Sequence, residues 1–234
     1  HLVEHQEAAP VVREERLAVR RTHEQVLQHH VVRQEDVRRV LPERLALVLL
    51  LLPFARVPAL LLLTATTGSL YVAGDVRSDG ISDYGFAGHG GLIQLTAQDH
   101  INVTTQGVIS ANGGVGDCPD GCVPPGDGGQ VKLFATNFGS TITINGLIRA
   151  NGGDEPGNVI ASAGGGGSIV VDAEQTLTLG GTIAAVGGKT SPNSDIAGGS
   201  GGTIDLRGGN MLYINGGAMV DASGGDAGNV AWNT

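Results

Sequence analysis

Hydrophobic and polar residues alternate in short runs from about residue 60 onward, and the same order of runs recurs along the chain. In one copy, the run Leu92–Ala97 precedes two shorter runs at 101–103 and 108–111, and the glycines Gly113 and Gly114 follow. Strict alternation over a few residues predicts β-strands with one buried face. A β-type unit that repeats at a nearly constant period is typical of a solenoid.

The repeats align as three short strands per copy. In the first strand, one position recurs about every 35 to 38 residues, and we expect its side chains to form a ladder inside a tube: Ile93, Val131, Ile169 and Ile204. The second strands carry the matching residues Leu70, Ile101, Ile142, Leu177 and Leu212. The third strands carry Val76, Ile109, Ile148, Ile183 and Val220. The pattern predicts an all-β fold: a parallel three-sided β-helix solenoid of about five turns, which we expect to be right-handed, over residues 60–234. An antiparallel sandwich is the alternative, but it would not require one strand order at a near-constant period.

Small residues follow each third strand. Alanines such as Ala111 and Ala150 fit a corner where a larger side chain would collide, and the Gly-Gly pairs after them would allow positive φ at the bend. Long loops then lead to the next first strand, and we expect all of them to leave the solenoid at one edge: 81–89, 115–127, 154–165 and 189–200. Such insertions are often a binding face, but loops are also tolerated because their closure entropy is small.

The first 59 residues do not fit the repeat. Residues 1–44 are rich in Arg, Glu, Val, Gln and His, and we expect a disordered or helical extension, or a tract that is not native coding sequence. Residues 45–59 are apolar and follow basic residues, as in a secretory signal or an anchor. The apolar stretch 45–63 is long enough to reach across a bilayer, but Arg56 and two prolines argue against a transmembrane helix. Because Leu60–Ala65 matches the later first strands, the solenoid is expected to begin at Leu60.

Charge narrows the choice of partners. The whole chain has a formal net charge of −9, and residues 65–234 carry five basic and fifteen acidic side chains. An acidic surface repels phosphates, so nucleic acid is not expected as a partner. Carbohydrate, a surface protein or a cation remains compatible with this charge.

Two cysteines, Cys118 and Cys122, lie in one polar loop. They predict a local disulfide and therefore an extracellular or cell-surface location. A reduced pair that holds a metal is the alternative, although no further Cys or His lies close in sequence to complete such a site. Two unpaired thiols without a role are the third alternative.

Acidic residues in the glycine-rich loops are candidates for calcium binding, because flexible oxygen ligands suit this ion. These residues are Asp117, Asp120, Asp127, Asp154 and Glu155. No stretch reproduces the spacing of the calcium-binding nonapeptide repeat. Aspartates that keep glycine-rich turns soluble are therefore the alternative explanation.

Stacking of the turns also predicts columns of outward-facing residues. Asp172 is expected beside Arg207 as a surface ion pair, which would contribute less than about 1 kcal/mol. The second strands give the column Asn102, Thr143, Thr178 and Tyr213, and the third strands give Ser110, Arg149, Ala184 and Asp221. No column places two carboxylates on adjacent turns, as acid and base catalysis on a glycoside requires. No catalytic residue is therefore predicted, and a polysaccharide-processing enzyme that uses loop carboxylates stays as the alternative to a structural protein.

The units at 107–114 and 146–153 both have the form GxIxAxGG. This form resembles the repeats of bacterial filamentous-haemagglutinin-like and autotransporter adhesins, whose β-helices are pectin-lyase-like, and the resemblance covers about residues 60–234. It implies a secreted or surface-attached protein with a non-enzymatic role in adhesion or matrix structure. No amphipathic cap follows the last repeat, and uncapped strand edges invite further pairing. We therefore expect either a fragment of a longer protein or a subunit that associates end to end.

Overall fold

The structure, a computed structural model, describes residues 45–50, 60–83, 86–116, 123–155, 161–191 and 196–227. The predicted extension at 1–44 lies outside these residues. So does the loop segment 117–122, with both cysteines and with Asp117 and Asp120. The predicted disulfide therefore stays a prediction. The described ranges cover the strands of the solenoid and the bases of its loops.

Every regular element in the described residues is a β-strand. Strand β1 (Leu45–Leu50) precedes the solenoid. The first turn contains β2 (Leu60–Ala65), β3 (Leu70–Val72) and β4 (Asp75–Arg77), and the hairpin of β5 (Ser82–Asp83) and β6 (Phe86–Ala87) follows it. The second turn contains β7 (Leu92–Ala97), β8 (His100–Val103) and β9 (Val108–Ser110). The third contains β10 (Gln130–Ala135), β11 (Thr141–Ile144) and β12 (Leu147–Arg149). The fourth contains β13 (Ser168–Ala173), β14 (Thr176–Leu179) and β15 (Thr182–Ala184), and the last described turn contains β16 (Thr203–Gly208), β17 (Met211–Ile214) and β18 (Met219–Asp221).

Strands from successive turns pair in parallel and form three sheets, one for each side of the solenoid. The parallel strands of sheet A are β2, β7, β10, β13 and β16, and β1 is added antiparallel at the edge of this sheet. Sheet B contains β3, β8, β11, β14 and β17, and sheet C contains β4, β9, β12, β15 and β18. The first and last strands of each sheet are about four turns apart. In sheet A, Val131 pairs with both Ile93 and Ile169, and Ile169 pairs with Ile204. The predicted β-solenoid and its first ladder are confirmed.

The core lies inside the tube, where the alternate residues of all three sheets meet. Ile93, Val131 and Ile169 are fully buried, as are the matching residues of the inner turns in the other two sheets. Burial of aliphatic side chains at about 25 cal/mol per Å² is the main stabilising contribution, and each turn can bury its apolar face only against its neighbours. Ile204 is only partly buried, because β16 has a parallel partner on one side only among the described residues.

The predicted start of the solenoid is also confirmed, because β2 pairs in register with β7 from Leu60↔Leu92 to Ala65↔Ala97. Of the predicted apolar segment 45–59, the structure describes residues 45–50. They form β1, which pairs antiparallel with β2 on its outer edge. No helical segment able to span a bilayer occurs in the described part of the chain. The proposed signal or anchor role of residues 45–59 stays a prediction.

The Gly-Gly pairs have a different role from the one predicted. Positive φ among the described glycines occurs at Gly68, Gly139 and Gly217, which lie between strands rather than in the Gly-Gly pairs after the third strands. The pairs instead belong to a glycine column, in which the base of each loop approaches the loop base of the next turn. Each loop has an outgoing arm after the third strand and a returning arm before the next first strand, and glycines of the two arms alternate along the column. Their backbone N–H groups donate to carbonyl oxygens at N···O distances of 2.8–3.0 Å. The donors are Gly88, Gly114, Gly126, Gly153, Gly164, Gly188, Gly199 and Gly225.

Close approach explains why this column contains only glycine. A Cβ atom on Gly153 would overlap the carbonyl oxygen of Gly114, and one on Gly164 would overlap that of Gly126. Both obstacles are backbone atoms, which cannot rotate away as a flexible side chain can. The prediction of a φ requirement at these positions was therefore wrong. Glycine is required at these positions because it has no side chain, and not because it can adopt a positive φ.

Candidate functional site

The loops leave the solenoid at one edge, as predicted, and their bases continue the stacking of the turns. The N–H of Gly116 donates to the carbonyl oxygen of Asp154 at 3.1 Å, and the N–H of Glu155 donates to that of Lys189 at 2.8 Å. One turn further along, the N–H of Thr190 donates to the carbonyl oxygen of Asp226 at 3.1 Å. The loop bases therefore form an ordered extension of the solenoid wall beyond sheet C.

Three of the five candidate calcium ligands lie at this edge, and each has a carboxylate oxygen that accepts a backbone N–H. Asp154 Oδ1 accepts from Lys189 at 2.8 Å, and Glu155 Oε2 accepts from Ser191 at 3.0 Å, in both cases one turn further along the solenoid. Glu155 is buried, with 4% of its surface exposed. Burial of a carboxylate is costly unless hydrogen bonds compensate it, so these contacts give the side chain a structural role.

Asp127 is held in the same way on the returning arm of its loop. Its Oδ1 accepts the N–H of Gly165 at 2.7 Å, and its Oδ2 lies 3.4 Å from His89 Nδ1. Its own N–H donates to His89 Nδ1 at 2.9 Å. His89, Asp127 and Gly165 therefore form a side-chain-to-backbone column that links three turns.

Within the described ranges, no group of three or more His, Cys, Asp or Glu side chains is placed to hold a metal ion. The structure does not bring Asp127 together with Asp154 and Glu155 in such a group. Asp117 and Asp120 lie outside the described residues. Calcium binding at the loop edge therefore stays a prediction, and one that depends on those two residues.

A column of amide and carboxylate side chains at the ends of the third strands was not predicted. Asp79 Oδ1 accepts the N–H of Asn112 at 2.7 Å, Asn112 Oδ1 accepts that of Asn151 at 2.9 Å, and Asn151 Oδ1 accepts that of Val186 at 2.9 Å. We call Asp79, Asn112 and Asn151 the Asn/Asp ladder. The signal was present in the sequence, because Asn occupies the same place in both GxIxAxGG units.

A related hydrogen bond occurs within the last described turn. The N–H of Ser223 donates to Asp221 Oδ1 at 2.9 Å, and this bond holds the pKa of Asp221 below its ordinary value. A carboxyl whose pKa is lowered on folding stabilises the native state above its unfolded pKa. That contribution is lost as the pH falls through the lowered value.

The Asn/Asp ladder leads to a testable expectation at Asn151. The substitution Asn151→Ala removes the acceptor of the Val186 N–H at a partly buried position, and the loss of such a hydrogen bond costs about 0.5–1.5 kcal/mol. Asn151→Asp keeps an oxygen at Oδ1, as Asp79 does in the first turn, and should preserve most of the stability. Urea unfolding followed by circular dichroism would measure both variants. Asn137→Ala, which removes only a 3.5 Å exposed contact to Asp99, serves as the control. Equal losses in Asn151→Ala and Asn137→Ala would contradict a structural role for the ladder.

The predicted ion pair between Asp172 and Arg207 is corrected. The two residues are paired across adjacent strands, but Arg207 makes its ion pair with Asp205 on its own strand, through both Nε and an Nη atom. The hydrogen bond and the charge of Asp205 raise the pKa of Arg207 further above its ordinary value. Residues two apart on a strand lie on the same face, so Asp205 is within reach of Arg207, and it presents both carboxylate oxygens to the guanidinium.

The outer faces of the three sheets differ in charge and exposure. On the outer face of sheet C, Ser110 and Ala184 are buried, although the sequence predicted an outward-facing column there. Ser110 is enclosed because its hydroxyl donates to Asp79 Oδ1 and accepts from Asn112 Nδ2. The outer face of sheet A carries Lys132, Asp172 and the Asp205–Arg207 pair.

The outer face of sheet B has no Asp, Glu, Lys or Arg on its described strands. Its central column, which we call the sheet B column, pairs in register from the first turn to the last described turn: Tyr71, Asn102, Thr143, Thr178 and Tyr213. Tyr71 and Tyr213 are 49% and 50% exposed, whereas the three residues between them are partly buried.

The last described turn exposes side chains that belong to the core columns. Leu212, Ile214 and Val220 are 43%, 57% and 45% exposed, whereas their partners in the preceding turn, Leu177, Leu179 and Ile183, are fully buried. We call Leu212, Ile214 and Val220 the open rung. By contrast, Leu70 and Val72 of the first turn are only 3% and 5% exposed.

Neither the protein-family models, nor the curated proteins, nor the solved structures give a match to this chain. These comparisons therefore assign no function to the chain.

Proposed function

We propose that this protein is a non-catalytic structural β-solenoid of the cell surface or the extracellular space, which associates end to end and supports adhesion. The observation that carries the proposal is the open rung. Its three aliphatic side chains continue the core ladders in register, yet about half of their surface is exposed to water. Exposed apolar surface of this kind marks an interaction site.

The shape of the open rung favours another solenoid turn as its occupant. Strands β16, β17 and β18 have the same lengths as β13, β14 and β15, and they carry aliphatic residues at the same inward positions. Their outer edges have no strand partner among the described residues, and a strand edge of this kind can pair with a further strand. A second copy of this chain carries an open rung of the same kind, and pairing the two ends would bury both.

The other described turns support a structural role for the acidic residues. Asp127, Asp154 and Glu155 each accept a backbone N–H from the following turn. Side chains that tie neighbouring turns together stiffen a solenoid along its axis. A stiff rod that pairs end to end suits a matrix or adhesive protein, and the resemblance to adhesin repeats points to the same role.

Sedimentation of the full chain over a range of concentrations tests this proposal. We expect the average mass to rise with concentration. The double substitution Ile214→Lys with Val220→Lys should keep the protein monomeric, because two charges would have to be buried at the contact. Phe138→Lys is the matched control, because Phe138 is 93% exposed and lies in the turn between β10 and β11. A chain that stays monomeric at every concentration, or a double variant that associates like the wild type, would overturn the proposal.

A further inference from the structure

We propose that the outer face of sheet B binds a neutral polysaccharide chain laid along the solenoid axis. This site lies on the opposite side of β17 from the open rung, because Tyr213 alternates with Leu212 and Ile214 along the strand. End-to-end association and glycan binding therefore use different surfaces, and either can fail without the other.

The sheet B column has a half-exposed tyrosine at each end and three shorter, partly buried side chains between them, and we infer from this profile a shallow trough along the axis. Parallel strands in a sheet lie about 4.8 Å apart, so Tyr71 and Tyr213 are separated by about 19 Å over four steps. Asn102, Thr143 and Thr178 form the floor, and each step along the floor is close to the length of one pyranose unit. A short stretch of an extended glycan thus matches the trough in both length and repeat.

The chemistry of the floor suits hydroxyl-rich ligands. Thr143 and Thr178 are paired on adjacent strands and each carries a hydroxyl, which can both donate and accept. Asn102 Oδ1 is buried without a hydrogen-bond partner in the structure. A buried acceptor left unsatisfied is costly, and rotation of the Asn102 amide, whose terminal torsion is broad, would bring it to a ligand hydroxyl.

The remaining features select a neutral glycan over a charged one. The exposed rings of Tyr71 and Tyr213 offer apolar surface for the C–H faces of sugar rings, with a polar hydroxyl at the rim. The strands beneath the trough carry no Asp, Glu, Lys or Arg, whereas the chain as a whole has a formal net charge of −9. Its field would therefore disfavour an acidic polysaccharide. The outer faces of sheets A and C lack this combination, because charged side chains occupy them.

Titration calorimetry with cellotetraose, xylotetraose and mannotetraose as neutral probes, and tetragalacturonate as the acidic probe, tests the site. We expect saturable binding of at least one neutral probe and weaker binding of tetragalacturonate. Tyr71→Ala combined with Tyr213→Ala should weaken that binding about tenfold or more, a change of about 1.4 kcal/mol per tenfold. Thr143→Val combined with Thr178→Val, which keeps the side-chain shape and removes both hydroxyls, should weaken it severalfold.

Phe134→Ala is the matched control, because it removes a partly exposed aromatic side chain from the outer face of sheet A. It should leave binding unchanged, and circular dichroism would verify that all variants keep the fold. Failure of all three neutral probes to bind, tighter binding of tetragalacturonate, or an equal loss in Phe134→Ala would overturn the proposal. An end-to-end association that persists in the tyrosine variants would show that the loss concerns the glycan site alone.

Discussion

Gly153→Ala is expected to destabilise the solenoid strongly, although it adds only one methyl group. The new Cβ atom would overlap the carbonyl oxygen of Gly114 in the preceding turn. Gly153 also donates its N–H to Gly126 and accepts that of Gly164, so the backbone cannot shift without breaking the glycine column. Overpacking of a core typically costs about 1–3 kcal/mol, and a rigid backbone obstacle places this case at or above the upper end.

Thermal and urea unfolding followed by circular dichroism would measure the effect. Gly74→Ala and Gly216→Ala are matched controls, because a Cβ atom at either position would meet nothing within 4 Å. Neither glycine has a positive φ, so alanine fits the backbone at both positions, and these variants should be as stable as the parent chain or slightly more stable. If Gly153→Ala unfolds at the same urea concentration as Gly74→Ala, close approach is not the reason for the glycine column.

Ile169→Ala is expected to lower the free energy of unfolding by about 2–5 kcal/mol, the usual range for a buried isoleucine whose removal leaves a cavity. Ile169 is fully buried between Val131 and Ile204 in adjacent turns. The turns cannot collapse onto the cavity, because the backbone hydrogen bonds of sheet A hold their spacing. A solenoid is stabilised through contacts between neighbouring turns, so the loss should weaken both interfaces of the fourth turn.

Ile204→Ala is the internal control for this prediction. Ile204 is also an isoleucine of the first ladder and is also replaced by alanine, but it is only partly buried. The free energy of unfolding should therefore fall by only about 1 kcal/mol. Urea unfolding at low protein concentration compares the two variants without interference from association. Equal losses at the two positions would mean that burial by a following turn does not set the stability of the ladder.

Local alternation was sufficient to predict the three sheets and their register. Ile93, Val131, Ile169 and Ile204 each stand at the same place in an alternating run, and a side-chain period of two fixes which residues share a face. A slip of one residue would turn every aliphatic side chain of the strand to the outside, which is unfavourable. The register predicted from one column of aliphatic residues was therefore correct for the whole sheet. The start of the solenoid at Leu60 followed from the same pattern.

The loop edge could be predicted only in outline. The sequence placed Asp127, Asp154 and Glu155 in loops at one edge, but it could not indicate that each carboxylate accepts a backbone N–H about 35 to 38 residues further along the chain. The Asn/Asp ladder could have been predicted, because Asn112 and Asn151 recur in the same motif. The ion-pair partner of Arg207 could not be predicted, because Asp172 and Asp205 are both neighbours and side-chain geometry decides between them.

The sequence by itself determined the number of strands in a turn, the inward column of each strand and the edge from which the loops leave, because these depend on periodicities along one chain. The tertiary structure alone decided why Gly114, Gly153 and Gly188 must be glycine, which acidic groups act as hydrogen-bond acceptors between turns, and that Leu212, Ile214 and Val220 are exposed. These features depend on how closely backbone segments from different turns approach one another. That distance is set by the stacking of whole turns, so the sequence shows that the Gly-Gly pairs recur but not which backbone atoms they meet.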